Sequence, residues 1–119
     1  MRIGVPLESD GETRVAIVPG SLRKLTKAGF DVVVESGAGL RSSHDDTAYI
    51  EAGATIGSRE DVMACPFVLA VGFPGLEGLS SESTLVCVAD PFRHPDRVNA
   101  CMEAGVTLIS MDMIPRRLS

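Results

Sequence analysis

The chain has 119 residues, a length that fits one domain with a buried core. Its net charge of −5 and its few aromatic residues (four Phe, one Tyr and no Trp) argue against a nucleic-acid-binding surface and against recognition of quaternary ammonium groups. No apolar run is long enough to span a bilayer and no signal-peptide pattern follows Met1, so we expect a cytoplasmic protein with no direct membrane insertion.

The first stretch reads as a strand that ends, turns and leads into a helix. Ile3 and Val5 indicate a buried strand, and Pro6 ends it because proline cannot donate to a sheet. Pro19 suits the first turn of the helix that follows, since its φ is already fixed there.

Arg14 is the cation between these two elements. If the strand belongs to a parallel sheet, Arg14 lies at the carboxyl edge, where open α/β sheets bind ligands. The alternative is a surface ion pair with Glu8, Asp10 or Glu12. Both interpretations remain open from the residues alone.

The remaining elements alternate along the chain. The first predicted helix follows Pro19, with an apolar stripe of Leu22, Leu25 and Ala28 and a cap at Gly29. Further helices are predicted after an N-cap at Asp45 or Asp46, after a weak Ser58-x-x-Asp61 capping box, and around Val98, Cys101 and Met102. Strands are predicted at 31–35, 54–56 (short, at an edge), 66–71, 84–88 and 106–110. The runs at 31–35 and 66–71 are apolar without alternation, which predicts burial on both faces.

These elements predict an α/β fold: a three-layer, mostly parallel, five- or six-stranded sheet with flanking helices, flavodoxin-like or like the catalytic domain of formate and glycerate dehydrogenases. Three loops then meet at one edge of the sheet: the segment around Arg14, residues 72–78 and residues 90–95.

Other candidate sites are weaker. Gly37-Ala-Gly39 lacks the third glycine of a dinucleotide fingerprint, so we interpret it as a connection. The three cysteines are odd in number and widely spaced, and neither histidine has ligand spacing with them. We therefore expect reduced thiols and no metal site.

The order of several motifs resembles one family. Met1-Arg-Ile-Gly-Val-Pro6, Glu12-Thr-Arg-Val-Ala16, Val34-Glu-Ser-Gly-Ala-Gly39 and Met111-Asp-Met-Ile-Pro-Arg116 resemble the alanine dehydrogenase and proton-translocating nicotinamide nucleotide transhydrogenase family across essentially the whole chain. In the dehydrogenase branch, the Arg14 position binds the substrate carboxylate, together with a lysine and a histidine. Those two positions fall at Gly72 and Asp90 here, which leaves Arg14 and Asp90 as substrate-pocket candidates.

The transhydrogenase branch resembles the chain more closely, since it also lacks that histidine. The resemblance implies hydride transfer between NAD(H) and NADP(H), with Arg116 as the catalytic and cofactor-binding candidate at the start of a loop that reaches the nicotinamide. The implied partners are a second copy in a homodimer and NADP-binding and membrane subunits, so that the chain is peripheral to the membrane.

Residues 1–119 match an N-terminal domain of this family, and the later family motifs, the Rossmann domain and the C-terminal return are not among them. We therefore expect this chain alone to be inactive, not to bind NADH, and to associate through an uncovered apolar face. Two alternatives remain: the same lobe of an alanine-dehydrogenase-like enzyme, and a non-enzymatic stand-alone α/β interaction domain.

Overall fold

Strands and helices alternate along most of the chain, as the apolar runs and turn residues predict, but within residues 1–113 no helix separates the fourth strand from the fifth. The structure, a computed structural model, describes residues 1–113. Its strands are β1 (Arg2–Val5), β2 (Asp31–Glu35), β3 (Thr55–Gly57), β4 (Phe67–Gly72), β5 (Thr84–Val88) and β6 (Thr107–Ser110), and its helices are α1 (Pro19–Lys27), α2 (Asp46–Glu51), α3 (Arg59–Met63) and α4 (Pro95–Ala104). Short 3-10 turns occupy Leu40–Ser42 and Met111–Met113.

The six strands form one sheet in the order β3-β2-β1-β4-β5-β6, and every neighbouring pair is parallel. The predicted parallel α/β architecture is therefore confirmed. The short strand expected at 54–56 is an edge strand, displaced by one residue to Thr55–Gly57.

Local sequence signals define the ends of the helices. Pro19 is the first residue of α1, and Gly29 follows its C-cap with a φ of 95°. Of the two aspartates predicted as the cap of α2, Asp45 is the N-cap and accepts a 3.0 Å hydrogen bond from the Ala48 amide. The capping box of Ser58 and Asp61 is fully formed, although aspartate is not the preferred residue in it.

Two apolar clusters pack on opposite faces of the sheet. One face packs against α3 and α4, and its buried centre includes Val62, Leu85 and Cys87. The other packs against α1 and α2, with Leu22 and Tyr49 fully buried. Cys65, Cys87 and Cys101 are all buried free thiols, and burial raises the pKa of each, that of Cys87 to about 12.

The α1 and α2 face is only half covered. These helices contact β2 and β3, whereas β4–β6 on the same side carry side chains that remain partly or largely exposed, among them Val71, Val86, Val88 and Ile109. Within residues 1–113, no helix packs over that part of the sheet. The prediction that 66–71 is buried on both faces is therefore wrong for this side of β4, although it holds for β2.

Two apolar stripes are also narrower than predicted. Ala28 is exposed at the end of α1, and Met102 in α4 is 73% exposed while its neighbour Cys101 is buried. Both helices are short, and only one side of each helix contacts the sheet. The outer members of each stripe therefore remain in solvent.

Candidate functional site

The strand order reverses between β1 and β4. From β1 the chain proceeds to β2 and β3 on one side, and then returns to β4 and continues to β5 and β6 on the other. The loops that leave β1 and β4 diverge at such a point, and a crevice opens at the carboxyl ends of the strands. The predicted meeting of the Arg14, 72–78 and 90–95 loops lies at this edge.

A cavity of about 410 Å³ lies beside the reversal, on the uncovered side of the sheet. It is lined by the chain segment Arg14–Ala16 and by residues of β4 and β5, with Met111. The wall residues are mainly apolar: Leu69, Ala70, Val71, Val86, Val88 and Met111. The cavity therefore offers an apolar surface with one cation at its rim.

That cation, Arg14, is already paired. Its Nε and Nη2 donate to the two carboxylate oxygens of Glu12 at 2.9 and 3.0 Å, in a side-by-side arrangement. Arg14 also lowers the pKa of Glu12 from 4.5 to about 2, chiefly through the side-chain hydrogen bonds. The ion pair expected from sequence is confirmed, with Glu12 as the partner, and the Arg14 side chain is 72% exposed.

Asp90 lies on the next loop but is not part of the cavity wall. Its carboxylate is 3.8 Å from Arg93 Nε, and its backbone has a positive φ of 48°. The preceding residue, Ala89, is fixed on both sides: its amide donates to Ser110 Oγ at 3.0 Å, and its carbonyl accepts from Arg97 at 2.8 Å. The structure therefore brings Arg14, but not Asp90, into the cavity.

Arg116, the third candidate, lies outside the described residues. The motif that contains it begins at Met111, which forms part of the cavity wall, and Asp112 accepts a hydrogen bond from Ser110 Oγ. Met111 and Asp112 therefore place the start of this motif beside the cavity and at the end of β6.

Two charged side chains that cross the reversal point were not predicted from sequence. Glu8 is buried and accepts hydrogen bonds from the amides of Val71 and Gly72. Arg59 donates to the carbonyl oxygens of Leu7 and Pro74. The sequence suggests Glu8 only as a partner for Arg14; its place two residues after Pro6, at the carboxyl edge, is the signal that could have found its role.

The glycine-containing loop does not fit a pyrophosphate group. The Gly37 amide donates to Asp46 at 2.9 Å, and a Cβ at Gly39 would lie 2.6 Å from the Tyr49 ring. These glycines therefore serve packing and a turn, and their geometry is explained without a ligand. Across residues 1–113, no three His, Cys, Asp or Glu side chains are grouped so that they could hold a metal ion.

The helices are short. Among those that the structure describes, none is both long enough and apolar enough to cross a bilayer.

Comparison with known proteins agrees with this geometry. The family model of the alanine dehydrogenase/PNT N-terminal domain matches residues 4–119. The chain is 32% identical over 120 residues to NAD(P) transhydrogenase subunit alpha of Haemophilus influenzae, covering 98% of the chain and 23% of that subunit.

Two solved structures are similar as well. A transhydrogenase from Sinorhizobium meliloti has a TM-score of 0.93 and 36% identity, covering 98% of this chain and 36% of that one. An L-alanine dehydrogenase has a TM-score of 0.88 and 30% identity, covering 92% of this chain and 32% of that one. The chain therefore spans about a quarter to a third of these relatives, and of these two structures the transhydrogenase is the more similar. By sequence and by fold, the chain belongs to the alanine dehydrogenase and nicotinamide nucleotide transhydrogenase family, as an N-terminal domain of the kind found in the transhydrogenase alpha subunit.

Proposed function

We propose that this chain is the N-terminal lobe of the NAD(H)-binding subunit of a proton-translocating NAD(P) transhydrogenase, which transfers hydride between NAD(H) and NADP(H). In this proposal the subunit forms a homodimer and assembles with NADP-binding and membrane subunits. It lies in the cytoplasm, peripheral to the membrane. Its greater similarity to the transhydrogenase structure than to that of L-alanine dehydrogenase supports this choice.

The observation that carries the proposal is the charge distribution at the carboxyl edge of the sheet, beside the cavity. Oxidising an amino acid requires a cation for the substrate carboxylate and a general acid–base group near the reacting carbon. Here the fork of Arg14 is held in a pair with Glu12, Gly72 has no side chain, and Asp90 is paired with Arg93. Such a site does not favour a carboxylate substrate.

Hydride transfer between two nucleotides has simpler requirements. The donor and acceptor rings must face each other at short range, and no protein group has to exchange a proton with the substrate. An apolar wall that excludes water suits this task better than a set of charged side chains. In this proposal residues 1–119 contribute such a wall, and the pyrophosphate of NAD binds outside them, so that the chain alone is inactive.

The test uses the full-length protein with its partner subunits. Initial rates are measured for NADPH-dependent reduction of an NAD⁺ analogue with a distinguishable absorbance, and for alanine-dependent reduction of NAD⁺. We expect the first reaction and no measurable second reaction. Alanine-dependent reduction without transhydrogenation would assign the chain to the dehydrogenase branch, and neither activity would favour the stand-alone interaction domain.

A further inference from the structure

The reversal point between β1 and β4 is crossed by two side chains. The β1–β4 pairing is short and includes only Ile3 with Phe67 and Gly4 with Val68. Beyond Val68, the side of β4 that faces β1 has no strand partner, because β1 ends at Val5. The backbone amides at the end of β4 therefore need another acceptor.

Glu8 is that acceptor. Its Oε2 accepts from the Val71 amide at 2.9 Å and its Oε1 accepts from the Gly72 amide at 2.8 Å. Consecutive amides of a regular strand point in opposite directions, but the register between β4 and β5 shifts between Leu69 and Gly72. This irregularity lets both amides meet one carboxylate, and hydrogen bonds to an ionised group are the strong ones.

Arg59 makes a second connection across the same gap. As the first residue of α3, it donates from Nη1 to Leu7 O at 3.0 Å and from Nη2 to Pro74 O at 2.9 Å. Glu35, at the end of β2, accepts from the Leu7 amide at 2.9 Å and lies 3.4 Å from Arg59 Nη1. The two residues that follow Pro6 are thus held from both sides.

We propose that Glu8 and Arg59 are positioning residues that set the distance between the loop carrying Arg14 and the end of β4. Val71, whose amide Glu8 holds, and Arg14 both line the same cavity. This inference rests on the function proposed above, in which the cavity wall faces the reacting nucleotides. A displacement of about 1 Å between reacting groups lowers rates by up to about 100-fold, even when the cause is remote.

The test is the variant Glu8→Gln in the full-length protein with its partner subunits. Glutamine keeps the size of glutamate but replaces one carboxylate oxygen with an NH₂ donor, which would face one of the two amide N–H groups instead of accepting from it. We expect kcat for transhydrogenation to fall at least about tenfold per folded protein, with KM for NADH changed less than about twofold. Glu51→Gln, which removes the same charge from an exposed position at the end of α2, is the matched control and should retain full activity.

Arg59→Lys provides an independent variant, since lysine keeps the charge but lacks the planar fork that reaches two carbonyl oxygens. It should also lower kcat more than it raises KM. Hydrogen–deuterium exchange of the 68–76 segment should increase at least about tenfold in Glu8→Gln, while exchange of β5 is unchanged. This readout does not depend on which reaction the enzyme catalyses.

The outcomes separate the two proposals. If the unaltered protein does not transhydrogenate but Glu8→Gln loosens residues 68–76, the connection stands and the proposed function fails. An unchanged kcat in folded Glu8→Gln protein overturns the positioning role. A fall in kcat accompanied by faster exchange throughout the sheet also overturns it, since it would show a general loss of stability.

Discussion

At the scale of single residues, the Glu12–Arg14 pair decides how Arg14 can be used. The Arg14 side chain is largely exposed and the Glu12 side chain partly so, and solvent-accessible pairs contribute little to stability because water and salt screen them. Their importance lies in geometry: the guanidinium presents its fork to Glu12, and a substrate carboxylate would have to displace that carboxylate. Arg14 is therefore a cation whose charge is already paired with Glu12, at the rim of an apolar cavity.

We predict that Glu12 titrates with a pKa of about 2. Because its pKa in the folded state is below its ordinary value of 4.5, the pair stabilises the fold above about pH 4.5, and this contribution is lost as the pH falls from about 4.5 to 2. Carbon NMR of the side-chain carboxyl measures the pKa directly. In Arg14→Ala the pKa should return toward 4.5; a wild-type pKa already near 4.5 would contradict the pairing.

Arg116 gives a second prediction at this scale. In the full-length protein, we expect Arg116→Ala to slow hydride transfer far more than it weakens NADH binding, since the resemblance places this arginine at the nicotinamide. Arg117→Ala is the matched control: the resemblance assigns no role to Arg117, so this variant should leave the rate nearly unchanged. Steady-state rates and NADH affinity measured on the same protein samples distinguish the two. Equal rates for the two variants would show that Arg116 has no role in hydride transfer.

At the scale of elements, close approach of α3 to β1 holds the centre of the sheet together. A Cβ at Gly4 would lie 2.2 Å from the Val62 carbonyl oxygen, which belongs to the helix backbone and cannot rotate away. The glycine is therefore required by packing. By contrast, a Cβ at Gly20, in the first turn of α1, would have no heavy atom within 4 Å, and Gly20 has no positive φ.

We predict that Gly4→Ala lowers the free energy of unfolding by about 2 kcal/mol or more, because α3 must move away from the sheet. Gly20→Ala is the control, and it should be neutral or stabilising by up to about 1 kcal/mol. Urea unfolding of both variants gives the comparison. Equal stability of the two variants would show that α3 does not pack on β1 as closely as described.

Most of the elements could be predicted from the sequence because their signals are local. Pro19, Asp45 and Gly29 each determine one helix end through their own backbone or side chain, and the β-branched run at 31–35 has no helical alternative of similar quality. The carboxyl-edge position of Arg14 followed from the parallel topology. These inferences required no knowledge of contacts distant in sequence.

The features that escaped prediction depend on distant contacts. Glu8 meets amides more than 60 residues away, where the register of β4 shifts, and nothing in the residues near Glu8 indicates that shift. The exposure of Val71 and Val88 depends on which helices cross which strands. A pattern of apolar residues predicts that the faces of a strand are buried in the functional protein, but not whether helices of the same chain bury them.

At the scale of the whole molecule, the uncovered side of β4–β6 is the main feature that its own helices do not explain. Valine and isoleucine side chains there remain accessible, and exposed apolar patches on small proteins tend to be covered by association. We therefore expect residues 1–119, taken alone, to associate through this face, whereas in the full-length protein of the proposal the same face lines the nucleotide cavity.

We therefore predict that residues 1–119 sediment as a dimer or a larger species at high micromolar concentration. Val86→Asp, on the uncovered face, should shift the protein to a monomer, because a carboxylate would be buried without a partner. Ile50→Asp, on α2 and 55% exposed, is the control and should leave the association unchanged. A monodisperse wild-type monomer would contradict association through this face.

Whether this chain serves hydride transfer between nucleotides or amino-acid oxidation is decided by following the hydride itself. The full-length protein with its partner subunits is given NADH carrying deuterium at the transferable C4 position, together with NADP⁺, pyruvate and ammonia. Mass spectrometry then locates the label. We predict deuterium in NADPH and none in alanine; deuterium in alanine and none in NADPH would assign the chain to amino-acid oxidation instead.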